Sequence, residues 1–402
     1  MKKSRVNPGA VIECLRSARL PGGRGFEGVE MEECISILES AHQFDPDTVP
    51  SARPEIVSRA VFAVSRKGVL SWGRIQEEIR RQEEQEFKQS RKRYVLVTEI
   101  STDDRDVLGK HRIGDGLVKI RRRLPRRYDR SSIVDSLANN GLHVSLRGYS
   151  WLTVHVSARH SKEAFRAATR SLDLMRAFWN YDVNRRVGYR RSFGGMVRPV
   201  NVLRLGQVHT LHESTGAAVR SGKYWCEQYI STAAASGLPW RRIVSQSRKL
   251  RRRMGSVLYR DVLEDLFVAY CRSLDETDFS VSFMKLWSIL EHLTGTVGSR
   301  YDQLIRRACF LYGDPEYPRA SLEDLRERRN RLVHHSSEWG ADEGLVYRLK
   351  GFVEHLLSFH VWMGGRFQSH EEACRFLDYS PDTGHLQRQM ILIREALRFS
   401  GG

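Results

Sequence analysis

Leu322-Glu323-Asp324-Leu325-Arg326-Glu327-Arg328-Arg329-Asn330-Arg331-Leu332-Val333-His334-His335-Ser336 decides how the C-terminal half of this 402-residue chain is read. The spacing predicts a helix over 322–336, with Ser321 as N-cap and Glu323 and Asp324 in its first turn. At about 100° per residue, Leu322, Leu325, Leu332 and Val333 share one face, with Arg329 in its middle. A guanidinium on an apolar stripe is costly unless it is paired or used. Glu291, at the edge of the apolar face of a preceding helix, is the expected carboxylate partner, and such a pair is compatible with a phosphate-binding role for Arg329. Asn330 and His334 are four apart and neighbour each other on the flank of the stripe. Read alone, His334 is a helix-end histidine near a dipole terminus. His335 is a neighbour that shapes the region, and Arg331 points outward as a surface or RNA-contacting residue.

Around this helix, periodicity predicts others over 256–275, 280–294, 301–312 and 343–363. Short connections between amphipathic helices imply an antiparallel bundle over 248–367, and 370–377 and 386–399 form a helical tail within 368–402. Residues 1–92 read as mostly helical, with 29–41 and 75–92 the clearest; the second is highly charged and expected to be exposed. Residues 60–64 fit a strand or a short buried helix. From Tyr94 the composition changes: 94–100, 116–121, 142–146 and 151–156 are short and β-rich, a helix follows over 161–180, and 197–211 suggests further strands. The expected fold class is an α+β N-terminal region, with 93–247 as an α+β domain of sensing or regulatory role, followed by an all-α antiparallel helical bundle.

The net charge of +18 favours a polyanionic partner, most simply nucleic acid. Of 66 basic residues only twelve are lysines, leaving 54 arginines. Codon bias in a GC-rich genome accounts for an excess of arginine but would spread it evenly, and here it clusters. Arg121, Arg122, Arg123, Arg126 and Arg127 bracket Leu124-Pro125; Arg248, Lys249, Arg251, Arg252 and Arg253 form a second block. Each block suits phosphate contacts and equally suits a solvated surface. No run of eighteen apolar residues is present, so no membrane span is expected, and the N-terminus lacks a signal-peptide core, which points to the cytoplasm. Six scattered cysteines without a CxxC pair suggest reduced thiols, with no disulfide, no metal site and no cofactor.

Several smaller motifs fail their context. Gly23 to Gly28 matches GxGxxG but follows a helical stretch rather than a strand. Ser282 to Lys285 matches SxxK inside a packed helix. His209 and His212 lack a set of companion metal ligands, and Arg204 to His209 lacks the polar residue that follows Arg329. Asp103-Asp104 reads as an exposed turn.

Arg329-Asn330 followed by His334 after four residues, together with the aromatic-rich helix Phe283-Met284-Lys285-Leu286-Trp287-Ser288-Ile289-Leu290-Glu291-His292-Leu293, resembles the HEPN superfamily and within it the Apea-like proteins. The resemblance covers roughly residues 248–367; a looser one links the α+β segment to the N-terminal extension of longer Apea-like proteins. It implies an HEPN-type bundle that forms a homodimer, and metal-independent cleavage of RNA such as tRNA or mRNA, with Arg329, Asn330 and His334 as the catalytic set. It also implies antiviral defence or toxin-like growth arrest, under a phage-derived or antitoxin regulator. Some members of the family only bind RNA. The chemistry suits the residues: histidine titrates near neutrality and can serve as base or acid, and a guanidinium stabilises charge on a phosphorane.

Overall fold

The computed structural model describes residues 7–23, 25–46, 48, 50–128, 130, 139, 148–186, 199–219, 224–226, 234–298, 301–334, 341–380 and 382–400. The expected strand over 142–146 lies outside them, as does His335. The chain divides into two compact units, and the division passes through three strands and a helix. The first comprises residues 1–96, 155–169 and 211–222. Its helices are α1 (Gly9–Ser17), α2 (Met31–Ala41), α3 (Arg53–Lys67) and α4 (Trp72–Lys88). Val11, Ile12, Leu15, Leu38, Ile56, Val57, Ala60, Val61, Val64, Leu70, Ile75 and Ile79 form its core. Residues 60–64 are therefore helical, within α3. The charged α4 is not simply an exposed helix: Glu78 and Glu83 are buried. Glu78 accepts hydrogen bonds from Arg81 and Gln82, while Glu83 accepts from the Asp45 backbone and the Thr48 hydroxyl. Burial of these carboxylates is tolerated because each is hydrogen-bonded.

Six strands form one sheet: β1 (Lys92–Ile100), β2 (Gly109–Ile113), β3 (Gly116–Arg121), β4 (Ser150–Ala158), β5 (Val208–Glu213) and β6 (Tyr224–Cys226). Their order is β2-β3-β4-β1-β5-β6, with β2–β3 and β5–β6 antiparallel. The central strands β1 and β4 are buried almost continuously, whereas β3 alternates, as position in a sheet demands. Only 208–211 of the expected strand region 197–211 joins the sheet as a strand.

The second unit comprises residues 97–154, 170–210 and 223–402. Within it, α5 (Ser161–Asn184) contributes its C-terminal half, buried nearly all round rather than along one stripe. Arg176 there is buried against Asp173 and Asp275, at 3.0 and 2.8 Å. Gly116 of β3 approaches this helix so closely that a Cβ would meet Ser171 Oγ at 2.6 Å. The remaining helices are α6 (Trp240–Met254), α7 (Arg260–Ser273), α8 (Phe279–Thr294), α9 (Tyr301–Cys309), α10 (Glu316–His334), α11 (Glu343–Met363), α12 (His370–Phe376) and α13 (Thr383–Ser400). The expected 247/248 boundary, set where the sequence pattern turns helical, falls inside α6, which begins at Trp240.

Helix α8 is central, packing against α7, α9, α10 and α11. Its inward residues Phe283, Leu286, Trp287, Leu290 and Leu293 are fully buried. Asp278 caps its start through the Ser280 and Val281 amides, and Gly295 ends it at φ +64°, a left-handed position that favours glycine. Helix α10 begins six residues before the expected start. Asp314 accepts the Glu316 amide, and Pro318 is tolerated in the first turn, where amides lack intrahelical acceptors. Ser321 is therefore not a cap; it lies within the helix and accepts a hydrogen bond from Arg348 of α11 at 3.1 Å. The coarse expectation, a helix-and-sheet region followed by packed helices, matches this architecture.

Candidate functional site

Helix α10 is pinned along its first two-thirds. Leu322 and Leu325 are buried, Arg348 of α11 pairs with Asp324 at 2.7 Å, and Arg326 pairs with Asp302 of α9 at 3.1 Å. Beyond Leu325 the helix leaves the core: Arg329, Asn330 and Leu332 are half-buried, Val333 is 46% exposed and His334 is exposed. The stripe on which Arg329 was expected to sit thus opens to solvent over its last two turns.

The guanidinium of Arg329 lies over the Tyr301 ring, 5.5 Å from its centroid. One terminal nitrogen donates to Asn330 Oδ1 at a long 3.4 Å, while the buried Nε has no hydrogen-bond partner. Among the described residues Arg329 forms no ion pair with a carboxylate. The expected pairing with Glu291 is not made, because Glu291 Oε1 accepts the Trp287 indole N–H one turn earlier, at 3.0 Å. A buried indole N–H needs an acceptor, and this is the nearest on its own helix. Trp287 in turn packs on Tyr301 at 6.2 Å. The support under Arg329 is therefore an aromatic pair, Trp287 and Tyr301, with Glu291 fixing the indole. Tyr301, at the start of α9, was not singled out by sequence reasoning; nothing in its spacing relates it to Arg329. Helical geometry places His334 one turn from Asn330 on the same flank, and Arg331 pairs outward with Glu327 at 3.5 Å.

The arginine blocks behave differently from each other. Arg122, Arg123, Arg126 and Arg127 are exposed and form no ion pair among the described residues; Arg127 donates to the Tyr128 hydroxyl, and the half-buried Arg121 to Thr153. In the second block, Arg253 and Lys249 flank the half-exposed Trp362 ring, and Arg252 is exposed. Arg248 and Arg251 face a cavity of about 250 Å³ between α6 and β2, lined also by Lys110, His111 and Arg112. Arg251 is held there by the Arg112 carbonyl at 2.6 Å, and burial lowers its pKa. Burial, with help from Arg248 and Arg251, also depresses the His111 pKa, leaving a neutral ring. Among the described residues no carboxylate lines this cavity, so it suits an anion. A larger hollow of about 570 Å³ between α7 and α8 is mostly apolar and includes Asp265, a poor place for phosphate.

The discounted motifs have structural employment. His209 is buried with Nδ1 2.6 Å from Thr98 Oγ1, and His212 Nδ1 is 2.9 Å from the Gly216 carbonyl. Arg204 is buried beside Asp275, and Lys285 pairs with Glu276. Among the described residues, no helix is long and apolar enough to cross a membrane. The chain matches no protein-family model, no curated protein and no solved structure.

Proposed function

We propose that this chain is an HEPN-type endoribonuclease of the Apea-like kind. The observation that carries the reading is Arg329: a half-buried guanidinium oriented by Tyr301, without a carboxylate partner among the described residues, on the same helix as an exposed histidine five residues further on. An arginine so placed is available to phosphate, and desolvation on one side strengthens that contact. In the proposed reaction the RNA 2′-OH attacks the adjacent phosphorus. His334 removes its proton, Arg329 stabilises the phosphorane, and Asn330 orients the phosphate or the imidazole. A second copy of α10 in a homodimer supplies the histidine that protonates the leaving 5′-oxygen. Products carry 2′,3′-cyclic phosphate and 5′-OH ends. Antiviral defence or toxin-like arrest, with a phage-derived or antitoxin regulator, is the accompanying biological proposal. The rival reading, an RNA-binding protein without catalysis, draws on the exposed arginines and the basic cavity.

The test is incubation of the purified chain with end-labelled RNA, no divalent metal added, and chemical analysis of the ends. Cyclic-phosphate ends that disappear in Arg329→Ala and His334→Ala support the nuclease. One histidine acting in acid–base catalysis contributes about 10²- to 10⁴-fold, so His334→Ala should lose at least that. Tight RNA binding with no cleavage by wild type, in either oligomeric state, favours the rival. Ends bearing 5′-phosphate would refute 2′-OH attack.

A further inference from the structure

His360 of α11 and His370 and Cys374 of α12 each place one donor atom within 4.8 Å of the other two. From this convergence we propose that the three side chains bind a zinc-class transition-metal ion that fastens α12 to the bundle. His370 and Cys374 are four apart on one helix and so share a face. In a tetrahedral site with Zn–S of about 2.3 Å and Zn–N of about 2.05 Å, sulfur and nitrogen lie about 3.6 Å apart. Cys374 Sγ and His370 Nε2 are 3.6 Å apart. His360 completes the set once its separation, within 4.8 Å, closes by up to about 1.5 Å to tetrahedral spacing.

The surroundings are those of a metal-binding histidine. His360 Nε2 lies 2.8 Å from the Leu293 carbonyl, and Nδ1 lies 3.1 Å from the Tyr259 hydroxyl. A metal at either nitrogen replaces the hydrogen bond made there, as it replaces the bond from the Cys374 thiol to the Leu293 carbonyl, while the other nitrogen keeps an oxygen partner that fixes the ring, the usual support for a ligating imidazole. Both imidazoles offer lone pairs at neutral pH: burial pushes His360 down to about 3 and lowers His370, with His292 adding to the latter. Burial pushes the Cys374 thiol up to about 12, so the metal must displace its proton, and one proton leaves per ion bound. Arg307, the nearby cation, is engaged by Asp378 and the Thr294 carbonyl and does not compete for the thiolate. Gly295 closes over the sulfur: a Cβ there would stand 3.0 Å from Cys374 Sγ. His370 is half-buried, which gives an ion a way in. Three protein donors leave the fourth tetrahedral position to water.

The full chain, stripped by chelator, is titrated with Co²⁺ and then Zn²⁺. The expected result is a near-ultraviolet sulfur-to-cobalt charge-transfer band saturating at one equivalent, displaced by Zn²⁺, with a raised melting temperature. Cys374→Ser and His370→Gln should lose the band at unchanged far-ultraviolet dichroism, while Cys14→Ser, at an exposed thiol, should keep it. No band in folded wild type, or a band that survives Cys374→Ser, overturns the proposal and leaves a hydrogen-bonded core cluster. Should the variants not fold, X-ray absorption at the zinc edge decides: one sulfur and two imidazoles support the site, and any other ligand count overturns it. None of these measurements depends on RNA cleavage.

Discussion

At the residue scale, the question is what holds Arg329 in place. Its support is Tyr301, and a cation over an aromatic face is worth about 0.5–2 kcal/mol. On the proposed nuclease reading, Tyr301→Leu is therefore expected to reduce cleavage by about 2- to 30-fold, with Tyr301→Phe retaining most activity because the ring remains. Rates measured at saturating RNA check this. Equal losses in both variants would show that the hydroxyl, not the ring, matters. Arg329→Lys should also fail to restore activity, since an ammonium lacks the planar fork that grips phosphate. Arg329, Asn330 and His334 were legible in the sequence because all three lie on one helix and the helical period places Asn330 beside His334. Tyr301 was not, because its relation to Arg329 is between helices. The same limit concealed His360 beside Cys374: the pair sits on different elements, and only the His370–Cys374 spacing was visible along the chain.

At the element scale, the two C-terminal helices differ in how they are attached. The end of α12 is clamped by Asp378, whose carboxylate accepts hydrogen bonds from Arg306 at 2.7 Å and from Arg307 at 2.9 Å. Hydrogen bonding by Arg307 holds the Asp378 carboxyl down at about 2, below its ordinary value of 3.8. A depressed folded-state pKa means that the unfolded chain takes up the proton first. The stability Asp378 contributes is thus complete above pH 3.8 and lost as pH falls toward about 2. Asp378→Asn should lower the melting temperature at pH 7 and make no difference near pH 2; an equal effect at both would exclude the ion pair as its cause. By contrast α13 has no buried residue. Deleting residues 383–402 should shift the melting temperature by less than about 2 °C, since contacts outside the core contribute little. It should also remove the exposed Ile391, Leu392, Ile393 and Phe399 and so improve solubility, measurable by static light scattering.

At the scale of the whole molecule, the charge of +18 must be expressed somewhere. A few of the arginines are internal structure: Arg176, Arg204 and Arg307 are buried against carboxylates. The exposed arginines of 122–127 and those at the α6 cavity are the ones available to the proposed RNA. RNA affinity is accordingly expected to fall linearly with salt on logarithmic axes. Arg248→Ala should lessen that slope by about 0.7, the contribution of one phosphate on a single strand. An unchanged slope would place Arg248 outside the RNA path.

The sequence by itself determined the succession of helices from residue 256 onward, because an apolar stripe of period 3.6 is a property of each segment alone. It likewise determined the change to β-structure near Tyr94 and the apolar inward face of α8. Tertiary structure alone decided where charge is spent. Burial of Glu83, pairing of Arg176 with Asp275, loss of Glu291 to Trp287 rather than Arg329, and convergence of His360 with Cys374 depend on which helices become neighbours. A side chain's energy in the interior is set by those neighbours, and their identity is not encoded in local spacing.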